Sequence, residues 1–160
     1  MKKIFYFLSL LFILTSCTED IKFNNPAFQG LKDNVFWRAQ SYSAATDASG
    51  ALKMEGSLGT DVVILKVSST TPKTYVLGID DITVASYSNL FSVDEPEFTT
   101  GTNKGSGQIV ITDFDAENNT ISGTFKFTAP NVNEEDLEKP SLNFKEGVFY
   151  KIPITPNLKN

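Results

Sequence analysis

The chain has 160 residues, 41% of them apolar, with 14 Lys and Arg against 19 Asp and Glu, one cysteine and no histidine. That length supports one domain with a packed core, and a lone cysteine excludes disulfides within it. The acidic balance speaks against nucleic acid, which rewards clustered basic side chains. The missing histidine removes Ser-His-Asp and Cys-His nucleophilic machinery and every zinc site that uses an imidazole.

Met1-Lys2-Lys3 is a short positive start, and Ile4 to Leu14 is apolar except for Ser9. A bilayer span needs about 20 apolar residues, so this run is too short to cross as a helix. Basic start, apolar stretch and small residues follow one another in the order of a secretory signal peptide. Leu14-Thr15-Ser16-Cys17 resembles the lipobox of bacterial lipoproteins. The resemblance implies cleavage before Cys17, a diacylglycerol thioether on its sulfur and an acylated new N-terminus. Residues 1–16 are then the lipoprotein signal peptide. A plain secretory signal with a bystander cysteine is the alternative, but a free thiol is a liability in an oxidising compartment, and lipidation removes it. Several acyl chains, each contributing about 0.8 kcal/mol per buried methylene, make a durable anchor. Loss of Lys2 and Lys3 leaves 12 basic against 19 acidic residues, a net charge of −7, which keeps the protein soluble beside an anionic membrane.

Residues 17–27 read as the lipidated N-terminus and a polar tether. Glu19 and Asp20 resemble the export signal that carries Bacteroidetes lipoproteins through the outer membrane. That signal usually has a lysine or serine beside its acidic residues, and here Lys22 follows them. A solvated linker explains the same residues equally well.

A domain is expected over 28–160, beginning near Phe28. Phe36-Trp37-Arg38-Ala39 is aromatic and extended, and Ser41 to Gly50 reads as a loop. Leu52, Met54 and Gly56 alternate with Lys53, Glu55 and Ser57, the period of a half-buried strand. Val62 to Val67 is a continuous aliphatic run that predicts a strand covered on both faces. Tyr75 to Ile79 and Thr83 to Tyr87 are further strands, separated by a turn at Asp80-Asp81. Asn89 to Ser106 reads as irregular and as the most mobile stretch.

Gln108 to Ala129 predicts a hairpin. Ile121, Gly123, Phe125 and Phe127 share one face of its second strand, and a one-residue slip would carry that row into water. Asp113 to Asn119 supplies the turn chemistry. A loop from Pro130 to Pro140 follows, then strands through Leu142, Phe144, Phe149, Ile152 and Ile154, with Pro153 arguing for an edge or a bulge.

About eight short strands with no sustained helical period predict an all-β fold, a single antiparallel β-sandwich, with a small β-barrel as the alternative. Gly107 to Asp113, Asn119 to Ala129 and Glu146-Gly147-Val148-Phe149 resemble a domain of unknown function found in small Bacteroidetes lipoproteins. Phe36 to Ala39 is similar to the aromatic entry of that domain. These are strand and turn residues, and the resemblance implies no reaction.

Three features could carry chemistry. Asp113, Asp115, Glu117 and Asn119 alternate as oxygen ligands of Ca²⁺ do, but Asn118 stands where a calcium loop needs glycine and Thr124 where it needs a distal glutamate. Trp37, Tyr42, Tyr75, Tyr87 and Tyr150 could stack sugars, although core packing is the default for aromatics on strands. The pairs Asp80/Asp81 and Glu95/Glu97 are carboxylates in turns, whereas glycoside hydrolysis needs two carboxyls across a cleft. The expected role is therefore a non-enzymatic binding or structural module, without cofactor apart from the lipid. It would be anchored at the outer membrane, periplasmic or surface-exposed, with the membrane and an unknown protein or glycan as partners. The alternative is a carboxylate-dependent hydrolase acting on a surface glycan.

Overall fold

In a computed structural model, residues 27–89 and 97–156 are described. The signal peptide, the lipobox Leu14-Thr15-Ser16, Cys17, and Glu19-Asp20 lie outside the described residues, as do residues 90–96 of the stretch expected to be most mobile.

The described residues form eleven strands: β1 (Ala27–Lys32), β2 (Val35–Arg38), β3 (Ser41–Thr46), β4 (Leu52–Leu58), β5 (Asp61–Val67), β6 (Lys73–Leu77), β7 (Val84–Asn89), β8 (Phe98–Thr99), β9 (Ser106–Asp115), β10 (Thr120–Pro130) and β11 (Ser141–Pro156). They join in the order β6-β9-β10-β11-β3-β4-β5-β7-β8, and the β1–β2 hairpin is attached to β11. The all-β expectation holds. In place of two separate layers, one sheet curls into a half-barrel, which fits the barrel-like alternative.

The curl originates in β11. One of its edges pairs with β10 over nearly its whole length. The other edge pairs first with β1, from Phe144 to Tyr150, and then in parallel with β3, from Ile154 to Pro156. Its buried positions are Leu142, Phe144, Phe149, Ile152 and Ile154, with Gly147 among them. The spacing is two, three, two, three, two, because an extra residue is inserted twice. Glu146 and Lys151 sit at those insertions in the left-handed region, with φ of 51° and 50°. β-Bulges of this kind bend a strand and increase its local twist. A strict period of two cannot reveal such a strand.

Pro153 is not at an edge; it lies inside the most connected strand of the sheet. Ile154 N–H donates to Asn119 O at 2.8 Å on the β10 side, so the nitrogen of Pro153 faces the opposite edge. There β1 has already ended and β3 has not begun, and no ladder bond is lost.

Two other expectations are corrected. Ser41 to Thr46 is a strand rather than a loop, held between β4 and β11 with Ala44 buried. Pairing on both edges overrides the weak strand preference of Ser and Ala. β5 is covered on both faces only at its start: Val63, Leu65 and Val67 are buried on one face, while on the other Val62 is buried, Ile64 partly buried and Lys66 exposed.

The β9–β10 hairpin follows its expected register, with one bulge. Ser122 pairs with Asp113 and Gly123 with Ile111, which leaves Thr112 extra. Beyond it the inward face changes parity, so Phe114 packs against the core. The centre of that core is an aromatic stack of Phe28, Trp37, Phe125, Phe127 and Phe144, with ring centroids 5.1–6.2 Å apart.

Candidate functional site

Two features stand at the end of the half-barrel where β10 passes through its long loop into β11. The first is a charged cluster. The β1–β2 hairpin turns through Asp33 and Asn34, with φ of 49° and 66°, the pair of left-handed residues that a type I′ turn requires. This turn delivers Lys32 to the start of β5. Lys32 Nζ lies 2.6 Å from Asp61 Oδ2 and donates to Tyr87 Oη at 3.0 Å, while Tyr87 Oη donates to Asp61 Oδ1 at 2.8 Å. The ammonium also sits 4.6 Å from the Tyr87 ring centroid. Three strands distant in sequence are joined by one closed set of charge-assisted bonds. Every member is partnered, so the cluster holds β1 against β5 and β7 and offers no free nucleophile or base.

Burial, and then the hydrogen bond and charge of Asp61, push the Tyr87 hydroxyl well above the ordinary tyrosine range. The folded state therefore holds this proton more tightly than the unfolded chain. The stability that follows is complete below pH 10, the ordinary tyrosine value, and is lost as pH rises from there through the higher folded value. In thermal melts at increasing alkaline pH, the wild-type midpoint is expected to fall more steeply than that of Tyr87→Phe. Equal slopes would remove Tyr87 as the cause.

The second feature is a cleft of mixed polar and apolar lining, about 590 Å³, between the 101–105 turn and the 130–140 loop. Pro130, Val132 and Pro140 line it together with Asn131, Asn133, Lys104, Glu134 and Asp136. Much of this polar lining is spent on holding the loop. Asp136 Oδ1 accepts from the N–H groups of Glu138 and Lys139 at 3.1 and 3.3 Å, and its Oδ2 accepts from Asn131 Nδ2 at 3.1 Å. Lys104 and Glu134 stand exposed, 3.8 Å apart. An exposed pair of this kind contributes little stability.

The residues singled out in the sequence take other places. Asp115 Oδ1 accepts from the N–H groups of Glu117 and Asn118 at 3.0 and 2.9 Å, and its Oδ2 accepts from Asn118 Nδ2 at 2.7 Å. These bonds, led by the Asn118 side chain, hold its carboxyl below the usual range. Asn119 donates its amide to Ile154 O at 2.6 Å. Asp113 lies on the exposed side of β9. Among the described residues no group of three acidic side chains stands together as a metal site would need, and Asp115 and Asn119 are engaged in hydrogen bonds of the turn and to β11.

The supposed aromatic platform is dispersed. Trp37, Tyr75 and Tyr87 are buried, and Tyr75 Oη lies 2.9 Å from the backbone oxygens of both Ser69 and Thr71, which share its single proton. Tyr42, in β3, is partly buried against the core, and Tyr150 is exposed. Asp80 caps its own turn through the N–H groups of Ile82 and Thr83, and Asp81 accepts from Thr102 N–H and Oγ1. Neither carboxylate faces the other across a cleft. Glu95 lies outside the described residues.

Sequence reasoning placed the 130–140 loop but did not find the cleft it lines, nor Lys32 and Asp61. Each depends on contacts between residues about 30 or more positions apart, and no local pattern marks them.

Residues 24–153 match a family described as a domain of unknown function, DUF6252. The chain belongs to this family. Its matched span covers the whole described sheet except the last residues of β11. Residues 1–18 match the prokaryotic membrane lipoprotein lipid attachment site, so the DUF6252 domain follows a lipoprotein leader. Neither the characterised proteins nor the solved structures include a match.

Proposed function

We propose that this DUF6252 lipoprotein is a non-enzymatic binding module, tied to the outer membrane through lipid on Cys17, whose cleft takes a protein or glycan partner. The observation that carries the reading is the lipid attachment site ahead of a domain whose cleft lies at the far end of β11 from Ala27, the first described residue. Strand β11 serves as the ruler. Ala27, where the tether meets the sheet, pairs with Tyr150, whereas the cleft residues Pro130 and Pro140 adjoin Ser141. Nine residues of strand separate them, about 30 Å at the usual rise. The cleft thus lies a strand's length from the point where the tether enters the sheet. The cleft's size suits a short peptide or a small saccharide, with Pro and Val beneath and amide and charged groups around the rim.

The alternative, a carboxylate-dependent hydrolase of a surface glycan, has Glu134 and Asp136 as its cleft carboxylates. Asp136 is already held by three donors, and the Glu134 side chain stands in water. A general acid needs an apolar setting that keeps its proton, which favours binding over hydrolysis.

The test is Cys17→Ser. The variant is expected to move from the membrane fraction to the soluble fraction while its thermal midpoint stays at the wild-type value. A variant that remains in the membrane pellet defeats the anchoring reading.

A further inference from the structure

The polar groups that the cleft does not use on itself define what it can hold. Asn133 Oδ1 accepts from the N–H of Glu135 at 3.2 Å. That bond fixes the orientation of the amide and leaves Nδ2, a double donor, without a partner among the described residues. On the facing wall the whole side-chain amide of Asn103 is without a partner among the described residues. Asn103 takes φ of 57°, a conformation that Asn tolerates, and its N–H donates to Gly78 O at 3.1 Å. Both amides are carried on backbone that is already tied down, so little freedom is lost when a ligand meets them.

A charge follows each asparagine in sequence. Lys104 Nζ and Glu134 Oε1 are 3.8 Å apart, beyond hydrogen-bond length, and keep their donor and acceptor sites open. Asp136 is engaged by three donors of its own loop. Each wall therefore offers an amide and a charge, and the two charges cancel.

The recurring ways of holding a peptide do not fit this lining. Strand addition needs unpaired main chain, whereas the N–H groups of Asn103, Lys104, Asn131, Val132, Asn133 and Asp136 all donate within the fold. A proline-rich segment docks on aromatic rings, and no described aromatic side chain lines the cleft. An amphipathic helix needs a broad apolar groove, and the apolar lining here is Pro130, Val132 and Pro140. A phosphorylated or acidic segment needs an excess of positive charge, which Glu134 opposite Lys104 removes. Hydroxyl groups suit what is present. Each one both donates and accepts, so it can meet an amide, an ammonium or a carboxylate in turn, while the C–H faces of a sugar ring lie against the prolines and the valine.

We propose that the cleft binds a neutral oligosaccharide, held by the side-chain amides of Asn103 and Asn133 and by Lys104 and Glu134 beside them. The proposal rests on the reading of the cleft as a binding site and narrows its partner to a glycan without net charge. With no ring to stack on, hydrogen bonds carry the affinity, and a Kd on the order of a millimolar is expected for a trisaccharide.

The test is calorimetric titration of the mature lipoprotein, held in a detergent without a sugar headgroup, with trisaccharides of glucose, galactose, mannose, xylose and N-acetylglucosamine. At least one is expected to bind, with the same affinity from about 0.05 to 0.5 M salt. Asn103→Gly keeps the left-handed backbone and removes the amide. Asn133→Asp keeps the acceptor for Glu135 and removes the two donors. Each variant is expected to weaken binding about three- to tenfold at an unchanged thermal midpoint. No heat from any trisaccharide at about 10 mM, ten times the expected Kd, overturns the proposal. Binding that both variants leave unchanged places the sugar elsewhere and overturns it as well. Affinity that falls with salt, or that appears only with sialyllactose, makes the ligand a charged one. Binding of a casein digest that both variants abolish overturns the sugar and leaves the cleft as a binding site. Chromatography of the trisaccharide after incubation reads the chemistry separately. A cleaved ligand overturns the non-enzymatic reading while the sugar site stands.

Discussion

Gly123→Ala and Gly147→Ala are each expected to destabilise the domain by about 3 kcal/mol or more, at or above the upper end of ordinary overpacking. The two glycines lie on neighbouring strands, and each faces an aromatic ring from the other: Gly123 pairs with Phe149, and Gly147 with Phe125. A Cβ on Gly147 would meet Phe125 O at 2.5 Å and the Phe125 ring at 2.6 Å. A Cβ on Gly123 would meet Val110 O and, at 2.5 Å, the edge of Phe149. In each case one of the two obstacles is a backbone carbonyl of an adjacent strand, which cannot rotate aside as a side chain can. The rings in turn occupy the space that a Cβ would have filled, packing over bare backbone where the sheet curls most tightly. Gly59→Ala is the control. Its glycine has φ of 58° but no atom within 4 Å, so only conformational strain of about 1 kcal/mol is expected. Urea titration followed by tryptophan fluorescence reads the difference, since Trp37 reports on the same core. Midpoints for the three variants that coincide would show that close approach at the curl is not limiting.

Phe144→Ala is expected to cost about 3–5 kcal/mol and lower the thermal midpoint by about 10–15 °C. Phe144 is fully buried, stacked on Phe127 at 5.1 Å and packed edge-on against Trp37 at 5.7 Å, with Phe125 at 5.9 Å. Removing the ring leaves a cavity bounded by strands paired on both edges, so the walls cannot collapse to refill it. Phe144→Leu keeps much of the volume and is expected to lose considerably less. A Phe144→Ala midpoint within 2–3 °C of the wild type, a shift of only about 1 kcal/mol, would mean that the aromatic stack is not the centre of the core.

These two predictions concern the same strand pair, and that pair separates what could be read locally from what could not. The row Ile121, Gly123, Phe125, Phe127 is visible as an alternation, and its face, register and turn were legible because each depends on neighbours two residues apart or on one hairpin. The matching row on β11 was not legible. Leu142, Phe144, Gly147, Phe149, Ile152 and Ile154 reach the same interior only because Glu146 and Lys151 adopt left-handed backbone, and neither residue type signals that conformation. The strand at Ser41 to Thr46 was missed for a related reason: its small polar residues become a strand through pairing with β4 and β11, not through any preference of their own.

The same division holds for the sites. Composition and the order of residues at the N-terminus determined that this chain is a lipoprotein carrying an all-β domain and lacking histidine chemistry, because an apolar leader, a cysteine and a period of two are local properties of a chain. Only the tertiary structure decided that the sheet curls through β11, that Lys32, Asp61 and Tyr87 close on one another, and that the 101–105 turn and the 130–140 loop enclose a cleft. Those relations join residues tens of positions apart. They arise from packing and loop closure, where the free energy belongs to the assembled sheet and to no segment of it.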